Sequence, residues 1–106
     1  MKNLSQEEWK ERVSKDKNAI IIDTRTPEEC ASGIVENAIM IDFLQPDFFL
    51  QEIKKLDKTK TYYIYCRSGN RSGKACVMME NLGFNESFNL IGGMNEWNAN
   101  KVKPNE

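Results

Sequence analysis

The segment Thr61-Tyr62-Tyr63-Ile64-Tyr65-Cys66 constrains the fold more than any other stretch of the chain. Up to the cysteine every residue is aromatic or β-branched, the make-up of a strand covered on both faces. After Gly69-Asn70 the period changes. Ala75, Met78, Met79 and Leu82 recur at helical spacing, which predicts a helix over about residues 72–82 that Gly83 ends. A buried strand that passes through a short loop into a helix is the first part of a crossover to a parallel neighbour.

The remaining chain repeats that alternation. Ser5 with Glu8 three residues on is the start signal of a helix over about 5–15. The apolar run Ala19 to Ile22 predicts a strand that ends at Asp23. Thr26-Pro27-Glu28-Glu29 reads as N-cap, proline at the first helical position and glutamate at the third, opening a short helix over about 27–32. Ala38 to Ile41 is a second apolar strand. Phe48 to Leu56 fits a helix with Phe48, Phe49, Ile53 and Leu56 on its inner side. Phe88 to Ile91 is a further strand, Gly92-Gly93 a turn, and Met94 to Trp97 the start of a last helix. The order implies a three-layer α/β domain, its central, mostly parallel sheet of four or five strands flanked by helices. At 106 residues and 40% apolar content the chain can build one core, so a single domain is expected over 1–100, with 101–106 as a C-terminal tail.

Fifteen basic residues against sixteen acidic ones leave a formal charge of −1, with no block of like charge to attract nucleic acid. The polar start and the lack of a long apolar run imply neither signal peptide nor membrane span, and a cytoplasmic monomer is expected. There are three cysteines, Cys30, Cys66 and Cys76, and no histidine. This pattern argues against a disulfide framework or a zinc site, and no metal or cofactor is expected. It also excludes every nucleophile that needs an imidazole base.

The segment Cys66-Arg67-Ser68-Gly69-Asn70-Arg71-Ser72 lies where a central parallel strand gives way to a helix, the usual place for ligands in open α/β sheets. A short loop closing onto a helix N-terminus gathers backbone N–H groups around one point and favours negative charge there. Two of the four arginines, Arg67 and Arg71, are in this loop. Cys66 is therefore expected to be a thiolate near neutral pH. Such a thiolate can attack the outer sulfur of thiosulfate, release sulfite and keep the sulfur as a persulfide, with no imidazole involved. For Cys30 and Cys76 packing is the expected role, with a resolving thiol as the alternative. Arg71 is expected to anchor the loop through Glu29 or Asp23, and Arg67 to face the mouth and meet an anionic donor. Asp23 and Arg25 are expected to fix the strand end.

The loop from Cys66 to Ser72, the Asp23-Thr24-Arg25 segment with Glu29, and Gly83-Phe84, Leu90, Gly92-Gly93-Met94 and Trp97 together resemble the single-domain rhodanese family over nearly the whole chain. The resemblance implies a rhodanese-like fold and a sulfurtransferase with Cys66 as nucleophile. It also implies that Gly92 and Gly93 let backbone approach the active loop. The expected substrates are a small anionic donor such as thiosulfate and a thiophilic acceptor: cyanide, or a thiol such as glutathione or thioredoxin. Three positions depart from the family pattern. Ile34 stands for the usual histidine and Asn37 for the usual glycine, and Cys30 replaces an aromatic residue. A partner-dependent sulfur relay with little activity on thiosulfate is the alternative reading. A cysteine phosphatase or arsenate reductase is a weaker one, because their C-x5-R motif needs an arginine where this chain has Ser72.

Overall fold

A computed structural model describes residues 1–104, and the last two residues of the tail expected over 101–106 lie outside that range. Five strands form one sheet: β1 (Lys2–Leu4), β2 (Ile20–Asp23), β3 (Ile39–Met40), β4 (Thr61–Tyr65) and β5 (Glu86–Leu90). Their order across the sheet is β1-β5-β4-β2-β3, and every pairing is parallel. The helices are α1 (Gln6–Lys15), α2 (Pro27–Cys30), α3 (Pro46–Lys54) and α4 (Asn70–Asn81), followed by a 3-10 turn over Gly93–Glu96.

Strand alternation divides the core in two. Ile22, Tyr62 and Ile64 point to one face, where they meet Phe49 and Ile53 of α3 and Ala75, Cys76 and Met79 of α4. Ile21, Tyr63, Tyr65 and Phe88 point to the other, against Trp9 of α1 and Met94 of the 3-10 turn. Trp9 is the hub of that second face, with its ring edge-on to Tyr63, Tyr65 and Trp97 at centroid distances of 6.0, 6.0 and 5.8 Å. Its indole N–H finds no acceptor among the described residues, so packing alone holds it.

Four elements differ from the sequence reading. Strand β1 was not expected, because Leu4 is the only apolar residue in it. Leu4 is nevertheless buried, and Lys2, Asn3 and Leu4 pair with Phe88, Asn89 and Leu90. Phe48 does not join Phe49 and Ile53 in the core but is 49% exposed, because it lies about 100° round the helix from Phe49, whose row with Ile53 is the one that docks. Helix α4 opens at Asn70, two residues earlier than the apolar spacing marks. The last helix expected from Met94 is only the 3-10 turn, and after Trp97 the chain turns back, where Val102 exchanges two backbone hydrogen bonds of 2.8 Å with Ile34.

Two substitutions test this division. Trp9→Ala is expected to lower the unfolding free energy by about 3–5 kcal/mol, while Phe48→Ala changes it by less than about 0.5 kcal/mol. Urea unfolding of both variants checks the pair, and equal losses would contradict the assignment of Phe48 to the surface.

Candidate active site

Strand β4 ends at Tyr65, so Cys66 is the first residue beyond the sheet. The chain then turns at Gly69, which takes the left-handed φ of 101°, and enters α4 at Asn70. This reversal brings the first amides of the helix back onto the cysteine. The Gly69 N–H donates to Cys66 Sγ at 3.0 Å, and the Ser72 hydroxyl lies 3.3 Å from the same sulfur. Cys66 has no exposed surface. Burial by itself raises a thiol pKa, but the Ser72 hydroxyl and the backbone N–H groups of Ser72, Gly69 and Ser68 outweigh it and hold Cys66 below the ordinary cysteine value. Burial is not offset in this way at Cys30 and Cys76, whose thiols are pushed up to about 12. The favoured thiolate is therefore Cys66, and the other two cysteines remain neutral packing residues.

One ion pair braces the loop from outside, and a second holds the strand end beside it. Arg71 Nη1 and Nη2 bind Glu29 Oε1 and Oε2 at 2.8 and 2.9 Å. Glu29 is fixed by the cap of its own helix, since the Thr26 N–H and hydroxyl both donate to its Oε1 at 3.1 Å. The Arg71 pair, aided by these Thr26 bonds, outweighs partial burial and lowers the Glu29 pKa to about 2. Asp23 is not free to compete for Arg71. It is fully buried and held by Arg25, whose Nη2 donates to Asp23 Oδ2 at 2.7 Å and to the Gly33 carbonyl at 2.8 Å. The arginines and carboxylates thus sort into two fixed couples.

A second brace of the loop is backbone on backbone. The N–H groups of Met94 and Asn95 donate to the carbonyls of Cys66 and Arg67, each at 2.9 Å. Gly93, at φ 51°, makes this approach possible, because a Cβ there would fall within 2.8 Å of the Arg67 carbonyl carbon. Gly92 takes a φ of 80° in the same turn.

Arg67, Ser68 and Asn70 are exposed, whereas Ser72 is buried. Arg67 lines a cavity of about 290 Å3 with Arg25, Glu29, Ser32, Asn95 and Lys101. A second cavity, of about 560 Å3, lies on the Ser68, Gly69 and Asn70 side of the loop. Cys66 itself lines neither cavity and is buried between them and the sheet end. No group of metal-binding side chains occurs among the described residues, and none of their helices is long and apolar enough to cross a membrane.

Two of the departures from the family pattern, Asn37 and Ile34, have structural roles. Asn37 adopts a φ of 70°, which asparagine tolerates better than most residues, in place of a glycine. Ile34 is buried and forms the bridge to Val102. Sequence reasoning overlooked Asn89 on β5, whose side chain hydrogen-bonds Ser72, Gly69 and Asn3. A polar residue inside the run Phe88-Asn89-Leu90 was the available signal, since a buried amide needs partners.

Comparison with known proteins agrees with the geometry. The rhodanese-like domain family matches residues 5–100. The Bacillus subtilis protein YtwF is 34% identical over 104 residues, 98% of this chain and 96% of its own length. A sulfurtransferase of Allochromatium vinosum is 31% identical over 94 residues, covering 89% of this chain and 85% of that protein. Among solved structures, a rhodanese-like domain protein from Staphylococcus aureus superposes with a TM-score of 0.85 at 31% identity, over 99% of this chain and 100% of its own. With the sheet order, the amide-ringed cysteine and these relatives together, the chain belongs to the rhodanese-like domain family.

Proposed function

We propose that this protein is a sulfurtransferase that carries sulfane sulfur as a persulfide on Cys66, with thiosulfate as a donor and a thiol or cyanide as acceptor. The observation that carries this reading is the convergence of the Gly69 amide and the Ser72 hydroxyl on a sulfur at the end of the central strand. The Cys66 thiolate attacks the outer sulfur of thiosulfate. The S–S bond of the donor breaks, sulfite departs with its electron pair, and the new S–S bond leaves the negative charge on the outer persulfide sulfur. Backbone N–H groups directed at that point suit an anion before and after the step. An acceptor thiolate then attacks the outer sulfur and restores the Cys66 thiolate. No proton need move in either direction, which fits a chain without histidine. Arg67, exposed beside Lys101 at the Arg67-side cavity, is suited to meet the anionic donor.

The loop must hold its shape for this chemistry, and the Glu29–Arg71 couple supplies a measurable handle. Glu29 has a lower pKa in the folded protein, about 2, than its ordinary 4.5. Its contribution to stability is therefore complete above pH 4.5 and is lost as the pH falls toward 2. Glu29→Gln is expected to cost about 1–2 kcal/mol near neutral pH. The gap to the unmodified protein should narrow progressively below pH 4.5 in urea unfolding. A gap that stays constant through the acid range would contradict the anchor.

The proposed reaction is tested by intact mass. The reduced protein is incubated with thiosulfate, freed of excess and compared with Cys66→Ala. The expected result is a gain of one sulfur atom in the unmodified protein alone. A gain in both would place the sulfur on Cys30 or Cys76. No gain with thiosulfate, but a gain from a protein persulfide donor, would identify the partner-dependent relay instead.

A further inference from the structure

Asn89 lies near the end of β5, 5% exposed, and its amide reaches three other parts of the molecule. Its Nδ2 donates to the Gly69 carbonyl at 3.1 Å and to Asn3 Oδ1 on β1 at 2.9 Å, and its Oδ1 lies 2.5 Å from the Ser72 hydroxyl. A backbone carbonyl can only accept, so the orientation of this amide is fixed: Nδ2 must face Gly69, which leaves Oδ1 facing Ser72. Oδ1 carries no hydrogen. The bond to Ser72 therefore exists only when the serine supplies its hydroxyl hydrogen.

Ser72 has one such hydrogen and two claimants for it, Asn89 Oδ1 at 2.5 Å and Cys66 Sγ at 3.3 Å. Which of them receives it depends on the charge of the sulfur. A thiol needs no donor and can itself donate to Ser72 Oγ, so the serine hydrogen goes to Asn89. A thiolate competes strongly for a donor, because hydrogen bonds to a charged acceptor are the stronger kind. We propose that Asn89 is a positioning residue that holds the Ser72 hydrogen while the Cys66 sulfur is neutral and yields it to that sulfur when it is anionic. Ser72 thereby becomes a two-position hydroxyl switch.

On ionisation the thiol proton leaves to solvent, while Ser72 keeps its hydrogen and only rotates it; no other bond breaks. Where the persulfide reading of Cys66 holds, on which this extension rests, the same switch serves both forms of the enzyme. The inner sulfur of a persulfide is neutral and the charge sits on the outer atom. Ser72 then turns back to Asn89, and the loop amides are left to the outer sulfur. Asn89 thus favours the neutral states of Sγ, thiol and persulfide, relative to the bare thiolate. The charged group of α4 beside Cys66 is Arg71, bound to Glu29 of α2 and also facing Asp42, and the buried Cys76 of the same helix is neutral. From β5 and β1 the uncharged amides of Asn89 and Asn3 face the site, the Met1 ammonium and Lys74 line the adjoining cavity, and Arg67 follows Cys66 in the loop. Loss of Asn89 would not release the loop, because the Gly69 carbonyl also accepts from the Gly73 N–H at 3.1 Å.

The test is a pH titration of ultraviolet thiolate absorbance in the full-length protein, with the Cys66→Ala signal subtracted. Asn89→Ala removes the competing acceptor and should raise the thiolate-to-thiol ratio of Cys66 at a fixed pH about two- to fivefold, the worth of one ordinary hydrogen bond. Ser72→Ala should lower it. In a Ser72→Ala background Asn89→Ala should have no further effect, whereas in Ser72→Thr, which keeps a hydroxyl, the effect should return. If Asn89→Ala does not fold, Asn89→Val suits the strand better and carries the same expectation. A ratio that is unchanged or lowered by the Asn89 substitution overturns the proposal. So does an effect of equal size with and without the Ser72 hydroxyl. No sulfur donor enters this titration, so its outcome is separate from that of persulfide loading.

Discussion

A sulfur atom with no exposed surface sits at the end of β4, where burial opposes its ionisation, and the first amides of α4 are turned onto it by Gly69. The balance between these two effects governs the rest of the site. At Cys30 and Cys76 burial is the largest effect, and their thiols stay neutral. Cys66 differs because directed donors surround it, and such donors act more strongly where water is excluded. The donors help only while the loop keeps its curvature. Two separate parts of the chain keep it, Glu29 through Arg71 and the Met94 and Asn95 amides through the carbonyls of Cys66 and Arg67.

These braces show how local signals become site geometry. The Thr26-Pro27-Glu28-Glu29 segment starts a helix of one turn, and the cap interaction that stabilises it also fixes the carboxylate that Arg71 needs. Asp23, at the end of β2, is taken by Arg25, which spans from the strand to the Gly33 carbonyl and stacks over the Tyr65 ring at 5.7 Å. The two arginines thus have separate carboxylate partners. Gly93 completes the arrangement by bringing backbone where no side chain fits.

What was legible in the sequence were features carried by short-range chemistry. The caps at Ser5 and Thr26, the buried strands over Ile20–Asp23 and Thr61–Tyr65, and the cysteine loop all announce themselves within a few residues. Features that arise from distant contacts did not. Strand β1 is polar except for Leu4, and only the edge of β5 makes it a strand. Phe48 and Phe49 are indistinguishable as residues, and only the docking of α3 decides which is buried. Val102 gives no local sign of its bridge to Ile34, whose isoleucine stands where the family usually has histidine. Asn89 was half visible, as a polar residue in an apolar run, but its partners Ser72 and Asn3 come from α4 and β1.

The most direct test of the central claim resolves the three cysteines separately. Carbon-13 NMR of protein labelled at the cysteine Cβ atoms, followed through a pH titration, reports the charge of each sulfur. Cys66 is expected to ionise below the ordinary cysteine value while Cys30 and Cys76 remain protonated well above it. Ionisation of Cys66 together with the other two, or after them, would show that burial prevails over the loop donors and would contradict the account.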